Sequence, residues 1–407
     1  MTSFEEYRWY GLQMYNRDDL YDAGFNQIIS RYWEWNNSAV NHTLARRSGP
    51  FAELLKKKLP PFLPDMKNPC WYDDDNDRRT VWIEYLCSMD SGYASRLCNL
   101  YSGNRKTKKK ILRCLPYFML IGQPKSGSTD LFKRIVQHPD VRSSISKEPH
   151  WWTRYRHCRE KMPHSFTEYT DYFSYVAETL HVAEKSAKMQ IITGEGSQST
   201  LWDHQWWWEY PENEDDKGPG IHNAHFIRHI LPDVKLLVIL RNPVERLFSE
   251  YLYFFPDEQK SVDIFNNYVT RAVHSFNTCL ANNSLRHCAY KEATDVRLRL
   301  MIGLYAVFLK DWMDVFPRKQ LLVISLDNYS ANQSTVLSKV FKFLGLRNFE
   351  SRRTKRTRFN QRRPSSRQIG DMLNETRLVL ERFYRPFNKA LSLLMNDTSF
   401  LWETAFT

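Results

Sequence analysis

A lysine, three hydroxyl side chains and a glycine lie between a short apolar run and a helical pattern. The run Phe118–Ile121 predicts a strand, and Thr129–Gln137 predicts a helix that ends before a His-Pro pair. Because backbone N–H groups are unpaired at the start of a helix and the helix dipole favours negative charge there, the loop between them is suited to bind an anion. Its candidate binding residues are Lys125, Ser126, Gly127, Ser128 and Thr129.

The order of this loop is unlike that of the common phosphate loop G-x-x-x-x-G-K-[ST], because Lys125 precedes the glycine instead of following it. The alternative interpretation is an ordinary turn between a strand and a helix, with a solvated lysine.

A second candidate anion site follows the apolar run Lys235–Leu240, which predicts a buried strand. Arg241 ends this strand, and Pro243–Phe255 predicts a helix with proline at its favoured first position. Ser249 lies in the second turn of that helix, so it and Arg241 can face one pocket. A guanidinium and a hydroxyl together suit a phosphate monoester. Taken alone, the segment is also typical of a helix cap with a surface arginine.

A carboxylate lies between a lysine and a histidine, beside two tryptophans. These residues are Lys147, Glu148 and His150, followed by Trp151 and Trp152. A hydroxyl nucleophile has a high pKa and needs a positioned base. We expect the apolar wall to raise the pKa of Glu148 and make it a better base. The alternative is a structural Glu–Lys pair on a turn.

The elements that must position these residues alternate along the chain. Besides the two strands above, Met189–Thr193 and Leu321–Ser325 predict strands, and Ile221–Ile230 and Leu298–Phe316 predict helices. Near-continuous apolar strands separated by helices indicate an α/β fold, with a mainly parallel sheet covered by helices on both faces. Ligands of such sheets bind at the carboxyl ends of the strands, where the Lys125 loop lies.

The chain divides into two regions. Residues 1–60 have an amphipathic helical pattern that is broken by Leu59–Pro64, and the basic run Arg105–Lys110 is typical of a solvated linker. We expect residues 1–110 to form a helical N-terminal extension and residues 111–407 to form the main domain.

Charge and cysteine content indicate which partners, metals and disulfides to expect. Lys and Arg number 58 against 46 Asp and Glu, a formal net charge of +12, which favours a polyanionic partner. No zinc-finger, RNA-recognition or homeodomain signature is present, so an anionic glycan is favoured over nucleic acid. No metal is expected, because no ligand cluster occurs. Of the seven cysteines, Cys279 and Cys288 are expected to form a disulfide, and there is no C-x-x-C pair.

The compartment is indicated by seven N-x-[S/T] sequons, which favour a secretory lumen. They are at Asn36, Asn41, Asn282, Asn328, Asn332, Asn374 and Asn396. No signal peptide or membrane span is visible. We expect that the sequence lacks its true N-terminus and that any membrane anchor is absent from it; the alternative is a soluble cytosolic protein.

Taken together, these motifs resemble those of the Golgi carbohydrate sulfotransferases. The Lys125 loop resembles their 5′-phosphosulfate loop, the Arg241 segment their 3′-phosphate motif, and Lys147–Trp151 their Lys-Glu-x-His-aromatic motif. Further similar segments are Thr193–Asp203 (with Gly196 and Gln198 in place of Ala and Pro), Arg299–Trp312, Asn360–Arg363, Arg382–Asn388 and Phe400–Trp402. The similarity covers Cys114 to Trp402, is greatest to the branch that adds 6-sulfate to N-acetylgalactosamine 4-sulfate, and extends only loosely into the first hundred residues.

This resemblance implies a P-loop-like sulfotransferase fold and transfer of a sulfuryl group from 3′-phosphoadenosine 5′-phosphosulfate (PAPS) to a glycosaminoglycan hydroxyl in the Golgi. Lys125 would stabilise the leaving oxygen, and Glu148 would be the base with Lys147 and His150 as neighbours. The implied PAPS-binding residues are Lys125, Ser126, Gly127, Ser128, Thr129, Arg241, Ser249, Arg362 and Arg363. The implied acceptor is the 6-hydroxyl of N-acetylgalactosamine 4-sulfate in chondroitin or dermatan sulfate.

Other readings remain open at this point. A heparan-type or other glycan O-sulfotransferase would share the donor motifs, and a non-catalytic glycan-binding relative would share the fold. A nucleotide kinase would need a Walker-type lysine and a magnesium-binding carboxylate, and the order of the lysine is wrong for one. A cytosolic sulfotransferase for small phenols would use a histidine base and an apolar acceptor pocket.

Overall fold

The computed structural model describes residues 53–74, 110–157, 164–204, 207, 213, 218–256, 260–291, 298–349 and 368–402. Several expectations lie outside these residues. They are the helices of the first fifty residues, most of the basic run before Lys110, Cys87, Cys98, Cys158, the sequons at Asn36 and Asn41, and the cationic pair Arg362 and Arg363.

Within the described residues, seven strands and thirteen α-helices are assigned. The strands are β1 (Cys70–Asp74), β2 (Lys110–Cys114), β3 (Phe118–Gly122), β4 (Val141–Ser143), β5 (Ile192–Glu195), β6 (Lys235–Leu240) and β7 (Leu321–Ser325). The helices are α1 (Glu53–Lys56), α2 (Ser128–Ile135), α3 (Phe166–Asp171), α4 (Ser174–Val182), α5 (Lys185–Lys188), α6 (Asn223–Ile230), α7 (Pro243–Phe254), α8 (Val262–Asn282), α9 (Leu285–Tyr290), α10 (Tyr305–Val315), α11 (Leu326–Ala331), α12 (Gln333–Phe343) and α13 (Asn374–Met395).

Five strands form a central sheet in the order β4-β5-β3-β6-β7, and every neighbouring pair is parallel. All their carboxyl ends therefore lie at one edge, which brings the loops after β3, β5 and β6 together. The predicted parallel α/β architecture is confirmed.

Alternate residues of the central strands pack into two separate cores. In β3, Phe118 and Leu120 join the core formed with α2 and α12, whereas Met119 and Ile121 join the larger core on the opposite face. The same alternation runs along β6, whose residues from Leu236 to Leu240 are all fully buried. Helices thus cover both faces of the sheet, which explains why its strands are apolar at nearly every position.

A small antiparallel pair precedes the sheet. β1 pairs with β2, and a disulfide joins Cys70 to Cys114 across the pair. Arg113 on β2 forms ion pairs with Asp73 and Asp171. The sequence interpretation did not include this disulfide. The expected boundary at residue 110 coincides with the first residue of β2, so the described part of the N-terminal region supplies a strand that pairs with the main domain.

Two predicted elements differ from the structure. The strand expected at Met189–Thr193 is shifted to Ile192–Glu195, because the residues after α5 continue in a turn in which the N–H groups of Gln190 and Ile191 donate to the carbonyl of Ala187. The helix expected at Leu298–Phe316 is divided into a 3₁₀ turn, Leu300–Gly303, and α10. The side chain of Tyr384 packs against this break: its hydroxyl donates to the carbonyl of Leu300 at 2.7 Å, and its ring lies so close to Gly303 that an added Cβ would be 2.6 Å away.

The expected disulfide between Cys279 and Cys288 is confirmed, with an S–S distance of 2.00 Å. It joins the last turn of α8 to α9, so both cysteines lie in helices. The five sequon asparagines within the described residues are all exposed. Among the helices described, none is both long and apolar enough to cross a membrane.

Candidate functional site

The loop after β3 forms the first anion site. The N–H of Gln123 donates to the carbonyl of Ile239 at 2.9 Å, which ties the loop to β6. Gly127 caps α2 in the left-handed region with φ of 84°, and an added Cβ would lie 2.7 Å from Leu326. Only glycine adopts this conformation without strain. The turn therefore leaves the first N–H groups of α2 for a ligand.

The side chains of this loop do not all face the same way. Lys125 lines a large cavity, and its Nζ lies 3.6 Å from the ring centroid of Tyr253, a cation–π contact. Lys125 itself has a left-handed backbone, with φ of 62°, which is uncommon for a residue with a side chain. Gly127, Ser128 and Thr129 also line the cavity, whereas Ser126 is fully buried outside its lining. Any contact from Ser126 to a ligand would therefore come from its backbone.

Arg241 and Ser249 line the same cavity, on the side of β6 and α7. The hydroxyl of Tyr305 donates to the carbonyl of Arg241 at 2.8 Å and holds its backbone. The guanidinium of Arg241 lies 3.7 Å from Glu245, and burial lowers its pKa below the ordinary value. Arg241 also donates from Nη1 to the carbonyl of Lys125 at 3.4 Å. The two anion sites expected from the sequence are thus adjacent.

Glu148 lies on the opposite wall and accepts from three side chains. Lys147 Nζ lies 2.5 Å from its Oε1, Gln198 Nε2 lies 2.8 Å from the same oxygen, and His150 Nε2 lies 3.4 Å from Oε2. Burial alone would raise the pKa of Glu148, but these donors outweigh it and lower the pKa to about 2. The expectation of a raised pKa is therefore wrong: the apolar neighbours are present, but the three donors dominate.

Lys147 connects the two sides of the cavity. Its Nζ donates to Thr129 Oγ1 at 3.1 Å as well as to Glu148. Burial lowers the pKa of Lys147, and the neighbouring charge of Glu148 opposes that change. Because one ammonium contacts both the anion loop and the candidate base, a ligand on one side can alter the protonation of the other.

His150 is held by two hydroxyls. Its backbone N–H donates to Ser197 Oγ at 3.0 Å, and its ring Nδ1 lies 2.7 Å from Ser199 Oγ. The backbone of His150 is left-handed, with φ of 49°. Such strained residues persist where the surroundings enforce them, and they concentrate at functional sites. These contacts orient Nε2 toward Glu148.

Gln198 was noted in the sequence only as a departure from the family pattern. Its Nε2 donates to Ser128 Oγ at 2.7 Å and to Glu148 at 2.8 Å, so it is a second bridge between the anion loop and the base. Arg154, Trp202 and Arg299 also line the cavity and were missed. Trp202 and Arg299 lie in segments that resemble the family, and this is the signal that could have found them, whereas no sequence signal pointed to Arg154.

The cavity has a volume of about 810 Å³, within the usual range for a ligand of nucleotide size. In the described part of the chain, no group of three or more His, Cys, Asp or Glu side chains is arranged to hold a metal. Of the expected site residues within the described part of the chain, all but Ser126 and Lys147 line the cavity. Lys147 contacts two lining residues, Thr129 and Glu148, whereas Ser126 is buried outside the lining. Arg362 and Arg363 lie outside the described residues.

Comparison with known proteins decides the family. Residues 115–377 match the family model described as "Sulfotransferase domain". The chain belongs to the sulfotransferase family. The match includes Lys125, Glu148, Arg241 and Ser249, so the cavity lies within the sulfotransferase domain.

Relatives with high similarity include carbohydrate sulfotransferase 15 of Rattus norvegicus, which is 39% identical over 374 residues, and that of Homo sapiens, which is 38% identical over the same length. Each alignment covers 84% of this chain and 66% of the relative, so the chain spans less than two thirds of these proteins. The human bifunctional heparan sulfate N-deacetylase/N-sulfotransferase 3 is 24% identical over 341 residues, covering 82% of this chain and 31% of that protein.

Among solved structures, the chain is similar to a sulfotransferase from Alicyclobacillus acidocaldarius. The sequence identity is 21% and the TM-score is 0.45, with 70% of this chain and 96% of that chain covered.

Proposed function

We propose that this sulfotransferase transfers a sulfuryl group from PAPS to a hydroxyl of a glycosaminoglycan. The observation that carries the proposal is the adjacency of two anion sites in one cavity, where Arg241 contacts the backbone of Lys125. PAPS carries phosphate at two positions of one nucleotide, which is the chemistry that two neighbouring cationic sites suit.

The two sites have different roles in the proposal. The N–H groups of the first turn of α2, with Thr129, would hold the 5′-phosphosulfate, and Lys125 would donate to the bridging oxygen as it leaves. Arg241 and Ser249 would hold the 3′-phosphate and reject donors that lack it. Arg362 and Arg363 are proposed to contact the nucleotide by family resemblance.

In the proposed reaction the acceptor oxygen attacks sulfur, and the bond between sulfur and the bridging oxygen of the 5′-phosphate breaks. Glu148 takes the hydroxyl proton. Its low pKa makes it a weak base while Lys147 donates to it. With PAPS bound, Lys147 would donate its hydrogen bond to the sulfuryl oxygens near Thr129 instead of to Glu148. The pKa of Glu148 would then rise toward its ordinary value. His150 is proposed to keep the carboxylate in position.

The proposed acceptor is the 6-hydroxyl of N-acetylgalactosamine 4-sulfate in chondroitin or dermatan sulfate. The similarity to carbohydrate sulfotransferase 15 supports this choice. The net charge of +12 suits a polyanionic chain. We also propose a Golgi location, supported by two disulfides and five exposed sequon asparagines among the residues that the structure describes.

The test is transfer of radiolabelled sulfate from PAPS to chondroitin, dermatan and heparan chains, followed by disaccharide analysis. We expect label in the disaccharide sulfated at both positions 4 and 6 of the galactosamine. Label confined to heparan disaccharides would refute the acceptor, and binding of chains without any transfer would refute the enzymatic proposal.

A second measurement tests the donor. The product nucleotide 3′-phosphoadenosine 5′-phosphate (PAP), at about 100 times its dissociation constant, should stabilise the fold by about 2.7 kcal/mol. Adenosine 5′-phosphosulfate, which lacks the 3′-phosphate, should give a much smaller thermal shift at the same concentration. Equal shifts would contradict the role given to Arg241.

A further inference from the structure

A second cavity, of about 380 Å³, adjoins the first on the acceptor side. Three residues line both cavities: Arg154, Trp202 and Arg299. Two of the three are arginines, so guanidinium N–H donors lie at the junction of the cavities. Lys291, which also lines the second cavity, is a further cation there.

Arg299 is fixed at this junction from several sides. Its Nε donates to Glu250 at 2.7 Å, and Glu250 is itself buried and paired with the fully buried Arg246. Its guanidinium lies 5.4 Å from the ring centroid of Trp202 and 4.9 Å from that of Phe254. Since a guanidinium has five N–H donors, pairing through Nε leaves its terminal nitrogens able to donate to a second anion.

Arg154 is anchored in the same manner. Its Nε donates to Asp203 at 3.0 Å, and the side chain of Asp203 is only 3% exposed while that of Arg154 is 43% exposed. A buried carboxylate thus lies behind each arginine and holds it by one nitrogen, while the guanidinium lines the cavity. Such preorganisation favours binding of an anion, because little side-chain entropy is then lost.

We propose that Arg154 and Arg299 bind the sulfate ester already present on the acceptor sugar and thereby select a sulfated galactosamine. This rests on the proposed function. A sulfate ester presents three terminal oxygens, which suit donation from two planar guanidinium groups. The substituents of carbons 4 and 6 are neighbours on one sugar, so a 6-hydroxyl at Glu148 keeps the 4-sulfate in the same cavity, which both arginines line.

The carboxylate of the adjoining uronic acid is the other anionic group on such a chain. Two acceptors distinguish binding of this carboxylate from binding of the sulfate. Unsulfated chondroitin has the uronate but no sulfate, whereas chondroitin 4-sulfate has both. The variants are Arg299→Gln, Arg299→Lys, which keeps the charge but loses the planar fork, and Arg154→Gln. Arg347→Gln is the matched control, since Arg347 also pairs through Nε with an aspartate, Asp140, but is 68% exposed and outside both cavities.

For each variant, kcat/KM is measured on both acceptors, and binding of a chondroitin 4-sulfate oligosaccharide is measured by calorimetry with PAP present. We expect kcat/KM on the 4-sulfated chain to fall about 10- to 100-fold in Arg299→Gln, and less in Arg299→Lys. The rate on unsulfated chondroitin and the affinity for PAP should stay within about twofold, as should every value for Arg347→Gln.

Equal losses on both acceptors would assign the arginines to the uronate and overturn the proposal. An unchanged preference for the 4-sulfated chain in both Arg299→Lys and Arg154→Gln would overturn it too. If the wild-type protein transfers no sulfuryl group, the proposed function fails, but calorimetry still decides the inference: the oligosaccharide must bind, and must bind more weakly to the variants.

Discussion

The Glu148→Gln substitution separates a catalytic role of this carboxylate from a structural one. Glutamine keeps the size of the side chain and one acceptor oxygen but removes the negative charge. If Glu148 takes the acceptor proton, turnover should fall by roughly 10²–10⁴-fold, which corresponds to about 3–5 kcal/mol of activation free energy. Affinity for PAP should change little, because Arg241 and Ser249 lie on the other wall of the cavity.

The structural cost follows from the pKa of Glu148, which is lowered from 4.5 to about 2. A change of that size corresponds to about 3 kcal/mol of folding free energy. Because the side chain is 34% exposed, screening reduces this to about 1–2 kcal/mol. The variant should therefore remain folded, and its loss of turnover should exceed what unfolding explains.

The pH dependence of stability checks this assignment. Since the pKa is lower in the folded protein, the charge of Glu148 stabilises the fold fully above about pH 4.5, and this stabilisation is lost as the pH falls toward 2. The melting temperatures of wild type and Glu148→Gln should differ at pH 7 and converge only as the pH approaches 2.

Turnover is measured with PAPS and chondroitin 4-sulfate, PAP affinity by calorimetry, and stability by thermal denaturation. Glu184→Gln, which alters an exposed glutamate, is the matched control and should change none of these values. A Glu148→Gln protein with near-normal turnover and normal affinity for PAP would refute the base assignment and leave His150 as the next candidate.

Further predictions concern donor recognition, the disulfides and a buried acid. Arg241→Gln should weaken PAP binding about 10- to 100-fold while hardly changing affinity for adenosine 5′-phosphosulfate, as measured by calorimetry. Replacing both cysteines of a bridge by serine should cost about 3 kcal/mol for Cys279–Cys288 and about 4 kcal/mol for Cys70–Cys114, because the second closes the longer loop; denaturant unfolding tests this order. Burial raises the pKa of Glu195 to about 8, so Glu195→Gln should melt a few degrees higher than wild type at pH 8, with the difference vanishing below about pH 4.5. An unchanged difference between those pH values would show that Glu195 is not titrating there.

Local signals in the sequence determined the loops that form the proposed donor site. The apolar runs of β3 and β6 specify buried parallel strands, and the residues just after them specify loops at the carboxyl ends of those strands. Lys125 and Arg241 belong to these loops, so strand pairing alone brings them together. Gly127 was recognisable for the same reason, since a sharp turn into α2 requires it.

The wall of the cavity that carries the proposed base was decided by contacts between distant parts of the chain. The low pKa of Glu148 depends on Gln198, fifty residues away, as well as on its neighbours Lys147 and His150. Apolar neighbours in the sequence suggested the opposite direction, because a sequence pattern reveals burial but not which donors reach a buried group.

The same reason applies to the junction of the two cavities. Arg299 is held by Glu250 and Arg154 by Asp203, and each pair is separated by 49 residues. Cys70 and Cys114 are likewise 44 residues apart, and only the pairing of β1 with β2 brings them within bonding distance. Strand and turn preferences depend on neighbouring residues, whereas the charge state of a side chain and the shape of a cavity depend on the packing of the whole domain.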